Sequence, residues 1–173
     1  MSSQGQVLYT RQQIEQRIGE LAAKINDDYA GRQLVVVCVL KGAVIFFSEL
    51  VRQLNLEMLW DFLEVSSYRS GTESSGKVIL VKDLELDIKG KDVLIVEDIV
   101  DTGLTMDYTK KLLALRQPLS IRIAALLDKP VRRKVDLPVD YAGFTVPDKF
   151  IVGYGLDHNQ QFRSLPNLME LKS

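Results

Sequence analysis

Two rhythms of apolar and polar positions divide the chain. Ile14, Ile18, Leu21 and Ile25 recur at helical spacing, so an amphipathic helix is expected there. Thr10 with Gln13 fits a capping box at its start, and Gly31 offers a C-terminal stop. The run LVVVCVL (34–40) is short, continuous and β-branched, as a strand covered on both faces should be; LKGAVIFFSELVRQL then reads as a turn and a helix. WDFLEVSSY (60–68) is a further strand, whereas SSYRSGTESSG (66–76) is polar and aperiodic and is expected as a mobile loop. VILVKDL (78–84) and DVLIVEDIV (92–100) read as strands, Asp101 to Thr105 as a turn and Met106 to Arg116 as a helix. SIRIAALLDK (120–129), YAGF (141–144) and FIVGYG (150–155) supply shorter strands with helix-poor connections. This alternation predicts an α/β fold: a central parallel sheet flanked by helices, with the later segments forming a small covering, or hood, lobe. One domain spanning residues 1–173 is expected, a length that suits a single core.

Composition narrows the function classes. Hydrophobic residues make up 46% and charged residues 26% of the chain, an ordinary globular balance with no sign of disorder. Lys and Arg (22) nearly equal Asp and Glu (23), so the electrostatic footprint of a nucleic-acid binder is missing. No apolar run reaches the roughly 18 residues of a membrane span, and MSSQGQVLYT has no signal-peptide core; a cytoplasmic protein is expected. The single Cys38 lies inside an apolar run and is expected as a buried, inert thiol.

The segment VLIVEDIVDTGLTM (93–106) carries the candidate chemistry. A buried strand delivers Glu97 and Asp98 at its C-terminal end, the edge where ligands of open α/β sheets bind. Thr102, Gly103, Leu104 and Thr105 then open a helix with backbone N–H groups and two hydroxyls, a ready arrangement for a phosphate dianion. No GxxxxGK[ST] pattern follows, which disfavours a nucleoside triphosphatase. Adjacent carboxylates can accept from both hydroxyls of a diol, so the array describes a ribose 5-phosphate pocket.

That segment resembles the phosphoribosyl pyrophosphate signature of the type I phosphoribosyltransferases. Within that superfamily the chain resembles the hypoxanthine-guanine phosphoribosyltransferases almost end to end, through LKGA (40–43), EVSSY (64–68), LLDKP (126–130) and PDKFIVGYGLDHNQQFR (147–163). The resemblance implies transfer of a phosphoribosyl group to the 6-oxopurines hypoxanthine and guanine, with Mg2+ as cofactor and a homo-oligomer, dimer or tetramer, as the assembly. By it, Glu97 and Asp98 bind the ribose hydroxyls or their magnesium ion, and Asp101 to Thr105 bind the 5-phosphate. Asp101 also matches the family's acid near purine N7 and is the candidate general base. Leu40-Lys41-Gly42 matches a pyrophosphate loop with a non-proline cis peptide, and Arg163 a pyrophosphate-binding arginine. Lys129 resembles the lysine that donates to the purine 6-oxo group. Phe150 would stack on the purine, the Ile151 carbonyl would accept from its edge, and Asp157, beside the purine, matches a second magnesium ligand. Ser67 and Tyr68 match the family's closing lid, within the 66–76 loop.

Other residues are expected to be bystanders. His158, the single histidine, reads as a partly exposed neighbour of the site rather than an acid or base. The basic run Arg132-Arg133-Lys134 reads as a solvated loop, and Trp60 as a core or subunit-contact residue. The rival class is a regulatory protein that keeps the fold, senses nucleotides and binds nucleic acid; the near-neutral charge and the presence of Asp101 and Lys129 argue against it. A purine enzyme preferring xanthine is the nearer alternative.

Overall fold

The structure, a computed structural model, describes residues 5–70 and 73–171, and all of their side chains except those of 67–70 and 73–77. The elements in chain order are β1 (Gly5–Tyr9), α1 (Arg11–Asp28), β2 (Leu34–Leu40), α2 (Val44–Val51), β3 (Met58–Ser70), β4 (Glu73–Lys82), β5 (Asp92–Val100), α3 (Leu104–Ala114), β6 (Ser120–Asp128), a 3₁₀ turn (Pro130–Arg132), β7 (Tyr141–Thr145), β8 (Ile151–Val152) and β9 (Leu168–Leu171). Helix α1 starts as its sequence predicts. The Thr10 amide donates to Gln13 Oε1 at 2.9 Å and the Gln13 amide to Thr10 Oγ1 at 3.4 Å, which closes a capping box.

A six-stranded sheet in the order β4-β3-β2-β5-β6-β7 forms the centre. All neighbouring pairs are parallel except β3–β4. Because side chains alternate faces along a strand, the β-branched runs feed two cores at once. Val36, Cys38, Leu94, Val96, Ala124 and Leu126 share one with α1 and α2. Val35, Val37, Val39, Val93, Ile95 and Ile123 share the other with Met106 and Leu113 of α3. The chain leaves β2 toward β3 on one side, and β5 lies on the other; strand order therefore reverses between β2 and β5, which places a crevice at their C-terminal ends.

Two regions differ from expectation. The sequence predicts a mobile loop over 66–76; of that segment residues 71 and 72 lie outside the described residues, and in the rest β3 and β4 pair antiparallel as far as Ser70 opposite Glu73. An edge hairpin is held by main-chain hydrogen bonds and needs no apolar periodicity, so polar composition concealed it. The covering lobe is built on a second sheet, β1-β9-β8, all antiparallel. Of these only β8 lay in a segment read as strand; β1 and β9 find each other from opposite ends of the sequence, a pairing that no local pattern announces.

Candidate active site

Three chain segments meet at the crevice. The turn after β2 carries Lys41 and Gly42, the end of β5 carries Glu97 and Asp98, and the loop after β8 carries Gly155, Asp157 and Arg163. The Leu40–Lys41 peptide is cis, as the resemblance implied. A Cβ on Gly42 would fall 1.7 Å from Asp98 Oδ2, and a Cβ on Gly155 would fall 2.0 Å from the Gly42 carbonyl oxygen. The three segments are thus stacked at distances that exclude any side chain at either glycine. Lys41 itself is exposed at the rim.

Glu97 is 9% exposed and its carboxylate receives the Asp98 amide at 3.0 Å; Asp98 Oδ1 receives the Ile99 amide at 2.7 Å. Burial, and next the neighbouring Asp98, hold the Glu97 carboxyl well above the usual carboxylate range. Burial also raises Asp98, opposed first by its hydrogen bond with Glu97 and then by the Ile99 amide and the charge of Arg163. Such a pair is costly as two bare anions and favourable once hydroxyls or a cation arrive. A magnesium ion suits this donor set, because it typically takes one or two carboxylates and completes its shell with phosphate oxygens and water. Among the described residues no cluster of three or more metal-type side chains exists. Beneath the pair, burial and then the two acids push the Cys38 thiol up to about 12, so the cysteine is buried and inert as expected.

Beyond β5, Gly103 adopts φ +82° and caps α3 without any side-chain cap, which leaves first-turn amides open to an anion. The Thr102 hydroxyl lies 3.4 Å from the Leu104 amide. Asp101 Oδ1 is buried without an aligned hydrogen bond, although Arg132 Nε stands 3.3 Å away.

The base side of the crevice follows β6. Lys129 is 5% exposed and donates to the Lys149 carbonyl at 2.5 Å, with Asp148 Oδ1 at 3.8 Å; two of its three donor positions lack a protein hydrogen bond. Phe150 leaves half its surface open and meets His158 edge-on at 5.1 Å. Ile151 is buried in β8. Asp157 accepts from the Gln160 amide at 2.7 Å and pairs with Arg163 at 2.9 Å. Arg163 also donates to the Gly155 carbonyl at 2.8 Å. His158 is exposed, as expected of a bystander. The side chains of Ser67 and Tyr68 lie outside the described residues.

The basic run after Pro130 is only in part a solvated loop: Arg132 and Lys134 are exposed, but Arg133 is not. Arg133 is largely buried and paired with Asp128. Its stem packs on the phosphate turn, since a Cβ on Gly103 would meet Arg133 Cδ at 2.8 Å. The Lys134 amide donates to the Thr102 carbonyl at 2.9 Å, and Arg132 reaches both Asp101 and Asp148. The sequence hid most of these contacts because Asp101, Thr102 and Asp148 come from other segments; the local signals were a pair of arginines shortly after a candidate site lysine and Asp128 just before it.

The Phosphoribosyl transferase domain family matches residues 4–159. The chain belongs to the phosphoribosyltransferase family. Among curated relatives of this phosphoribosyltransferase, the hypoxanthine-guanine phosphoribosyltransferase of Staphylococcus aureus is 46% identical over 167 residues, 96% of this chain and 93% of that one. A crystal structure of a hypoxanthine phosphoribosyltransferase from Staphylococcus aureus superposes with a TM-score of 0.93 at 46% identity, covering 96% of this chain and 91% of that one. One of a hypoxanthine-guanine phosphoribosyltransferase from Bacillus anthracis gives 0.92 at 42% identity, covering 96% and 98%. The type I phosphoribosyltransferase fold is therefore established, with one amendment: the central sheet is mixed, its edge strand β4 being antiparallel.

Proposed function

We propose that this phosphoribosyltransferase is a purine salvage enzyme that moves the 5-phosphoribosyl group of phosphoribosyl pyrophosphate to N9 of hypoxanthine or guanine, releasing pyrophosphate. The observation that carries the reading is the buried, uncompensated Glu97–Asp98 pair immediately before an uncapped phosphate turn. In the reaction the C1′–N9 bond forms, the C1′–oxygen bond to pyrophosphate breaks, and the purine loses one proton. The turn from Asp101 to Thr105 holds the 5-phosphate through its amides and hydroxyls. Glu97 and Asp98 accept from the ribose hydroxyls or hold magnesium, with Asp157 as the acid for a second ion through its remaining lone pairs. Magnesium, when bound, neutralises charge on the departing pyrophosphate. Lys41, Gly42 and Arg163 bind that group from the opposite rim. Asp101, with a carboxylate oxygen free of aligned donors, receives the purine proton at N7.

Lys129 selects the base. Its ammonium, spent on one carbonyl, donates to a 6-oxo group, whereas the 6-amino group of adenine would oppose donor to donor. Phe150 stacks on the purine with its open ring, and Ile151 reads the purine edge through its carbonyl. Ser67 and Tyr68 would close over the sugar and exclude water. Trp60, half exposed beside Phe47, and Ile79 and Val81 of β4 give the sheet edge an apolar outer surface suited to a homo-oligomer contact. Among the described residues no helix is long and apolar enough to cross a membrane; the substrates are small molecules, and we assign neither nucleic acid nor membrane as a partner, and place the enzyme in the cytoplasm as a single domain. Initial rates with phosphoribosyl pyrophosphate, magnesium and each of hypoxanthine, guanine, xanthine and adenine test the reading. It predicts turnover of the first two; turnover of adenine alone, or of no purine, overturns it.

A further inference from the structure

Arg132 stands between the groups assigned above to the purine. It leaves the 3₁₀ turn after β6 and bridges two carboxylates from different loops: Nε lies 3.3 Å from Asp101 Oδ1 and Nη1 lies 3.5 Å from Asp148 Oδ1. That same Asp148 oxygen is 3.8 Å from Lys129 Nζ. The result is a chain of alternating charge, Asp101, Arg132, Asp148, Lys129, whose two ends face N7 and the 6-oxo group, adjacent positions on one purine edge. Each link restrains the next. Arg132 occupies Asp148 and so leaves the Lys129 ammonium directed by the Lys149 carbonyl. At the other end it meets the Asp101 oxygen that is buried without an aligned hydrogen-bond donor. A guanidinium suits this task because its planar fork presents donors in fixed directions to two carboxylates at once.

We infer that Arg132 is a positioning residue for the purine half-reaction: it sets the orientation of Asp101 and keeps Asp148 from drawing Lys129 away from the base. The inference rests on the assignment of Asp101 as the proton acceptor. Arg132 touches neither the phosphate turn amides nor the Glu97–Asp98 pair in this arrangement, so its loss should be felt in kcat and at the purine but not in the affinity for the sugar pyrophosphate.

The test uses the full chain with hypoxanthine, phosphoribosyl pyrophosphate and magnesium, in four variants: Arg132→Met, Arg132→Lys, Asp101→Asn and the double variant Arg132→Met/Asp101→Asn. Arg132 is nearly half exposed, so the substitutions should fold. Arg132→Met should lower kcat about tenfold, the size of coupling expected between groups in one charge network, with KM for phosphoribosyl pyrophosphate changed less than about twofold. Arg132→Lys should lie closer to the unmodified enzyme than Arg132→Met does, because it keeps the charge. In the Asp101→Asn background, Arg132→Met should slow the enzyme by less than about threefold more, since residues acting as a unit are not additive. A kcat within about twofold of the unmodified enzyme in Arg132→Met, while Asp101→Asn is slow, overturns the inference and leaves the assignment of Asp101 standing. Equal losses in the Met and Lys variants, or full additivity with Asp101→Asn, overturn it too. An unslowed Asp101→Asn removes the assignment of Asp101, and the inference with it.

Discussion

Asp92 opens β5 and Glu97 lies near its close; both are almost sealed from solvent, yet the chain treats them in opposite ways. Asp92 receives the Ser120 hydroxyl at 2.5 Å and has Arg32 at 3.5 Å. Asp61 in β3, two strands away, is provided for as fully, with the Phe62, Glu85 and Leu86 amides at 2.7, 2.8 and 2.8 Å. Glu97 receives one amide and faces a second carboxylate. At the lower end of the sheet a buried acid is a joint, its hydrogen-bonding capacity met by the protein. At the upper end it is an unmet demand, and a sugar diol or a divalent cation is what would meet it. The distinction separates structural from functional acids without reference to any relative.

The comparison can be broken most severely at Asp101, the third acid of the upper edge. Asp101→Asn should preserve folding and slow nucleotide formation by roughly 10²–10⁴-fold, the usual contribution of a positioned acid or base; steady-state kcat is the measurement. Next in size is the cation opposite. Lys129→Gln keeps a donor and adds an acceptor, so it should narrow the hypoxanthine-to-adenine ratio of kcat/KM by roughly tenfold or more, and Lys129→Met should lower hypoxanthine use without helping adenine. An unaltered ratio in both would assign 6-position reading to backbone groups.

The sharpest form of the contrast is thermodynamic. A carboxyl whose value is raised on folding contributes stability at low pH that is lost as pH rises through the folded-state value; at neutral pH Glu97 therefore opposes folding. Glu97→Gln should raise the melting temperature of the ligand-free protein by about 2–4 °C, the equivalent of roughly 1 kcal/mol at this size, while weakening use of phosphoribosyl pyrophosphate. Asp92→Asn should do the reverse, lowering the melting temperature by about 2–4 °C through a weakened buried hydrogen bond with kcat and KM unchanged. Thermal melts at neutral pH without magnesium, paired with steady-state rates, read both. A destabilised Glu97→Gln would place the two ends of β5 in the same class.

What could be read in advance divides along the same physical line. β5 was bounded at residues 92–100 from sequence because a β-branched run flanked by polar turns leaves little alternative, and α1 announced its start with Thr10 and Gln13. The acids and the turn after β5 were legible because they are contiguous. Partners separated in sequence were not. Arg133 reads as a surface cation until the bare face of Gly103 is placed against it, and Arg132 until Asp101 and Asp148 are placed around it. The same limit hid β1 and β9, whose pairing depends on residues from opposite ends of the chain, and the hairpin beyond Ser66, where main-chain bonding outweighs polar composition.

The β1–β9 pairing also has a consequence for connectivity. Gly5 sits opposite Leu171, so the two ends of the described chain leave the lobe side by side, on a sheet separate from the strands that carry Glu97, Asp98 and the phosphate turn. The chain is close to a closed ring. Joining the ends with a short linker and opening the ring at an exposed turn such as Lys89–Lys91, at the foot of β5 and away from the crevice, would reorder the sequence without moving any of the three segments that meet at Gly42. It would also make local a strand pairing that now joins segments far apart in the sequence, so the rearranged chain should form this pairing sooner during refolding than the present order does.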